Sequence, residues 1–112
     1  MNDLFEEIPY PSVSMALVAS IYGSIEDIAN DLGFVLKDDH DDLDEMKTLS
    51  LKCEHLIFEL MRYKNQPFNT FNIFIPAQQH DWEDQLKKIF RVLRIEPSRI
   101  QHINQHFLKW PS

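Results

Sequence analysis

The chain predicts an α+β fold: a small antiparallel sheet of about three strands flanked by N-terminal and C-terminal helices. Three observations carry that expectation. Two apolar runs, His55–Tyr63 (HLIFELMRY) and Thr70–Pro76 (TFNIFIP), lie close together with only the polar segment KNQPFN between them. Asp81–Arg94 (DWEDQLKKIFRVLR) has the three- and four-residue apolar spacing of a helix. At 44% apolar and 12% aromatic over 112 residues, the composition suits one folded domain rather than a disordered chain. An all-α bundle, with TFNIFIP as an extended connection, is the alternative.

Met1–Ser12 reads as a loose N-terminal arm. Pro9 and Pro11 bracket Tyr10, and each proline disfavours helix at the residue before it. Leu4, Phe5 and Ile8 are apolar enough to dock on the body. From Val13 onward, Leu17/Val18, Ile21, Ile25, Ile28 and Leu32 continue one stripe at helical spacing. Val13–Tyr22 alone suits a buried helix or a buried strand, and the continuing stripe favours helix to Leu32, bent or broken at Gly23. Ser24 offers a fresh N-cap with Asp27 three residues on, and Gly33 suits a left-handed C-cap.

Ser24–Phe34 (SIEDIANDLGF) resembles the first part of a repressor-type helix-turn-helix, with its Ile-Ala pair and Leu-Gly turn. The resemblance implies that a recognition helix follows. The following residues, VLKDDHDDLDE, place six carboxylates in the eight positions Asp38–Glu45. Phosphates repel such a segment, so DNA reading is not expected of it.

Phe34–Lys37 reads as a short strand, and Asp38–Glu45 as an acidic loop or a first helical turn. No register of that run supplies the central glycine and final glutamate of an EF-hand, so no dedicated calcium site is expected. Leu43–Tyr63 supports two readings. Leu43, Met46, Leu49, Cys53, Leu56/Ile57, Leu60 and Tyr63 step at helical spacing, with acids at the start and Arg62 and Lys64 at the end. A strand over Leu56–Tyr63 instead accounts for Phe58 lying off that stripe. It also gives Thr70–Ile75 a hairpin partner through Lys64–Asn69, and strand is the preferred reading.

Ala77–His80 is a linker, and Asp81–Arg94 is the clearest helix. Trp82, Leu86, Ile89, Phe90 and Leu93 form its apolar face, while Glu83–Lys87 and Asp84–Lys88 are favourable pairs four residues apart. Pro97 breaks that helix and suits the first turn of another, expected over Ser98–Lys109. His102 and His106 would then lie one turn apart. That spacing allows two metal ligands, but no third ligand or intervening glutamate accompanies them, so no metal is expected.

Net charge is −7, unevenly spread: Met1–Glu45 carries twelve acids and one base, Met46–Ser112 ten bases and six acids. Cys53 is the sole cysteine, which excludes an internal disulfide and makes a reducing cytoplasm the simplest compartment. Cys53 lies among apolar residues and is expected to be a buried thiol rather than a nucleophile. Val13–Tyr22 is too short to span a bilayer and follows acids rather than a basic leader. Gly-rich phosphate loops, a G-x-S-x-G elbow and a CxxC pair are absent from the sequence, and no cofactor is expected.

These features predict a non-enzymatic, acidic protein-binding module that neutralises a basic partner, such as an immunity protein or antitoxin against a toxin domain. Clustered carboxylates raise association rates with cationic surfaces. Asp38, Asp39, Asp41, Asp42, Asp44 and Glu45 are the expected contacts. Two alternatives stand beside it. One is a nucleic-acid-binding regulator using Lys87, Lys88, Arg91, Arg94 and Arg99. The other is an oligomeric enzyme subunit in which Cys53, His55 or His102/His106 converge on a pocket.

Overall fold

A computed structural model describes residues 5–9, 14–40, 45–66, 69–77 and 81–103. The described strands are β1 (Phe5–Glu7), β2 (Met15–Tyr22), β3 (Lys37–His40), β4 (Glu45–Cys53), β5 (Leu56–Tyr63), β6 (Thr70–Pro76) and β7 (Ile100–Ile103). Helix α1 spans Ile25–Leu32, α2 spans Trp82–Val92, and Pro97–Arg99 form a single 3₁₀ turn. The strands pair antiparallel in one sheet of order β1-β4-β5-β6-β2-β7, with β3 also on β4. The fold is therefore mostly β. It is neither a sheet of about three strands flanked by helices nor an all-α bundle.

The expected hairpin forms, β5 against β6, with Leu60 opposite Ile73. On its other side β5 pairs along its whole length with β4, from Met46 opposite Tyr63 to Cys53 opposite Leu56. The turn between them needs only Glu54 and His55, with Glu54 in the left-handed region at φ 56°. This pairing overturns the helical reading of Leu43–Tyr63 from Glu45 onward; Leu43 and Asp44 lie outside the described residues. The outer edge of β4 is shared: β1 covers Leu51–Cys53 and β3 covers Glu45–Thr48. Phe5–Glu7 of the N-terminal arm thus belongs to the sheet.

Three further expectations are corrected. Met15–Tyr22 is a strand, not a helix, and lies between β6 and β7. Its register shifts between Leu17 and Ala19, so Ala16 and Ala19 both point to the side of Ile75 and Ile73 although three residues apart. A bulge inserts one extra residue, and the resulting step of three imitates helical spacing. The same device accounts for β7, where a helix over Ser98–Lys109 was expected. The β2–β7 register shifts between Ser20 and Ile21, so Ile100 faces Ile21 while Ile103 faces Ala19. Residues 104–109 lie outside the described residues. Finally, the strand placed at Phe34–Lys37 begins only at Lys37 and runs into the acidic stretch.

Helix α1 forms between its end signals, and α2 forms within Asp81–Arg94, ending at Val92. The Ser24 hydroxyl accepts from the Asp27 N–H at 3.2 Å, capping α1. Gly33 adopts φ 81°, and the Phe34 N–H returns to the Ala29 carbonyl at 2.9 Å. That is a Schellman-type ending, which glycine permits because it has no Cβ to clash. After Gly33 the chain continues to strand β3, where the helix-turn-helix resemblance implied a recognition helix.

Residues opposite one another in register share a sheet face, and neighbours along a strand alternate. One face presents Leu49, Leu51, Phe58, Leu60, Phe71, Ile73, Ile75 and Ile21, all fully buried. These pack in one cluster with Ile25, Ala29 and Leu32 of α1 and Trp82, Leu86 and Ile89 of α2. Phe5 stands edge-on to Phe58, ring centres 6.4 Å apart. The opposite face carries Thr48, Ser50, Glu59, Met61 and Asn72; these are buried too, yet none belongs to that cluster.

Candidate functional site

The first acids of the run, Asp38 and Asp39, lie in strand β3, and its last, Glu45, opens β4. In β3, Asp38 stands opposite Lys47, Asp39 opposite Met46 and His40 opposite Glu45. Among the described residues β3 pairs only with β4, so its other side is a sheet edge. Lys37, Asp38 and Asp39 are exposed, as expected on an edge strand bearing charge. Asp41, Asp42 and Asp44 lie outside the described residues.

Cross-strand register brings Asp38 and Glu45 near cations. Lys47 Nζ lies 2.9 Å from Asp38 Oδ1, with the Asp38 side chain 83% exposed. Lys64 Nζ lies 3.3 Å from Glu45 Oε2, both side chains about two-thirds exposed. Arg62, more enclosed, reaches across to Glu26 of α1 at 2.8 Å. Asp38, Asp39 and Glu45, with Met46, Lys47, Arg62 and Lys64, line a groove of about 570 Å³. Its described lining holds three acids and three cations. The groove is therefore not the bare anionic patch that the sequence suggests. Exposed ion pairs of this kind contribute only about 0–1 kcal/mol each, so the acids remain available for exchange onto a stronger cationic partner.

The residues of the enzyme alternative do not converge. Cys53 ends β4 and His55 lies in the β4–β5 turn, whereas His102 stands on β7 at the far edge of the sheet. Cys53 is buried, and burial, assisted by the neighbouring Glu54 charge, pushes its thiol pKa up. That favours the unreactive protonated form. His106 lies outside the described residues. Among those described, no three His, Cys, Asp or Glu side chains are placed to hold a metal ion.

The basic residues of the nucleic-acid alternative separate into two sets. Lys87, Lys88, Arg91 and Arg94 are exposed on or just after α2, opposite its buried Trp82, Leu86 and Ile89. Arg99 is engaged in packing: its Nε donates to the Tyr22 carbonyl at 2.9 Å, and its guanidinium occupies the space a Cβ on Gly23 would need. No described helix is long and apolar enough to cross a membrane.

A second polar region, not anticipated from the sequence, lies on the sheet face away from the helices. The Ser20 hydroxyl donates to Asn72 Oδ1 at 3.0 Å. Gln66 and Asn72 exchange amide hydrogen bonds at 3.2 and 3.1 Å, and the Tyr63 N–H donates to Gln66 Oε1. One strand further over, the Ser50 hydroxyl donates to Glu59 Oε2 at 3.2 Å. The available signal was alternation: Thr48 and Ser50, Glu59, and Asn72 each interrupt an apolar strand at one-residue intervals.

Compared with known protein families, characterised proteins and solved structures, the chain has no significant match.

Proposed function

We propose that the protein is a small non-enzymatic binding module that neutralises a basic partner, in the manner of an immunity protein or antitoxin, in a reducing cytoplasm. The observation that supports this most is the exposed β3 edge, where Asp38 and Asp39 sit beside Glu45 at the rim of the groove. The sequence joining β3 to β4 supplies Asp41, Asp42 and Asp44 at the same place in the chain. A guanidinium offers carboxylates two parallel hydrogen bonds and is more weakly hydrated than an ammonium. An arginine-rich partner therefore competes well with Lys47 and Lys64 for Asp38 and Glu45. The sole cysteine agrees with the compartment.

The test is retention of partners from native lysate at low salt, followed by a salt gradient. The wild-type chain is compared with Asp38→Asn/Asp39→Asn/Glu45→Gln. A basic protein held stoichiometrically by the wild type should associate with the triple variant about tenfold more slowly or worse, with a flatter salt dependence. Equal kinetics would sink the reading. The exposed cations of α2 support a second reading, nucleic-acid contact, which predicts nucleic acid in the eluate and loss of it with Lys87→Ala/Lys88→Ala/Arg91→Ala.

A further inference from the structure

The proposed partner-binding edge leaves a buried carboxyl, Glu59, unused. Glu59 lies in mid-strand of β5, which pairs on both sides: Ser50 of β4 is opposite it in one direction and Phe74 of β6 in the other. The residue is only 2% exposed. It accepts a hydrogen bond from a neutral hydroxyl, Ser50 Oγ. Among the described ion pairs, no lysine or arginine meets it. By register, the charged residues sharing its face are Lys37 and Asp39 of β3, Lys52 of β4 and Glu6 of β1. Lys37 contacts Glu7 at 3.8 Å, and Lys52 is exposed. From β6 the face presents Asn72 and Phe74, and from β5 itself Ile57, Met61 and Tyr63; none of these carries a charge at neutral pH.

We propose that Glu59 is a proton-binding switch within the sheet: its carboxyl is neutral while the face is closed, and its ionisation at higher pH weakens the β4–β5–β6 centre. An ionised carboxylate out of water with no cation beside it is unfavourable, and neutralisation relieves the cost. Burial is the main influence raising its pKa above the ordinary 4.5. The Ser50 hydrogen bond acts the other way, and the charge of Asp39 adds to the rise. Between the ordinary value and the raised one, the folded protein holds a proton that the unfolded chain has lost. Stability therefore falls as pH rises through that window and levels off above it.

The experiment is a carbon-13 NMR titration of the Glu59 side-chain carboxyl in the full chain, with thermal melts of wild type and Glu59→Gln from about pH 5 to about pH 8. The carboxyl should titrate above the ordinary glutamate value. The wild type should lose several degrees of melting temperature relative to the glutamine variant, whose profile is flatter. A carboxyl titrating at 4.5, or two melting profiles that fall in parallel, overturns the proposal. If the variant does not fold, the wild-type carboxyl titration decides alone.

Discussion

The two faces of the sheet are both buried, and they are buried differently. On the helix-covered face the strands present large aliphatic and aromatic side chains that meet α1 and α2 in one cluster. On the other face the buried side chains include Thr48, Ser50, Glu59, Met61, Thr70 and Asn72, and side-chain hydrogen bonds join Ser50 to Glu59 and Asn72 to Ser20 and Gln66. The first face is stabilised by area removed from water, without regard to direction. The second is satisfied only if specific donors meet specific acceptors. The helix-covered face is thus the source of stability, and the other is the source of register and of sensitivity to pH.

Substitutions on each face break that comparison in order of size. Phe58 is fully buried on the helix-covered face, against Phe5. Phe58→Ala should cost about 3–5 kcal/mol by urea unfolding, enough to threaten the fold of a small domain. On the other face, Asn72→Ala leaves the Gln66 amide and Ser20 without their partner. It should cost about 1–3 kcal/mol and leave the rest of the core intact; a cost equal to that of Phe58→Ala would erase the distinction. At the exposed edge, Lys47→Ala removes the Asp38 ion pair. It should change stability by less than about 1 kcal/mol, yet quicken association with a cationic partner by freeing Asp38. Slower association would show that Lys47, not Asp38, faces the partner.

The same double burial decided what the sequence could disclose. Thr70–Ile75 and Leu56–Tyr63 were legible as a hairpin, because β-favouring residues and a polar turn segment coincide there. Ser24 and Gly33 marked the ends of α1, since capping chemistry is local. Strand β4 was harder. Thr48–Cys53 alternates polar and apolar residues, but Leu49 and Cys53 also fall on the helical stripe that runs from Leu43 to Tyr63, so both periods fit the same residues. In β7 the bulge produced a false helical step, Ile100 to Ile103, and in β2 the bulge falls at Val18, inside the Leu17/Val18–Ile21 step that reads as helical. A bulge depends on the partner strand, which lies far away in sequence. Of the candidate site, the acids themselves were evident. Their pairing with Lys47 and Lys64 was not, because it follows from cross-strand register rather than from composition.

The split occupancy of the β4 edge has one more result. Neither β1 nor β3 is long, and the two meet where Lys37 approaches Glu7 at 3.8 Å. A second molecule of the same chain approaching this side would find no continuous row of backbone groups to extend. It would also bring its own aspartates against Asp38 and Asp39. Interrupted strands and like charge both discourage strand-to-strand growth. On the proposed reading, the edge offered to a cationic partner is thus one that disfavours strand pairing with a second copy of the chain.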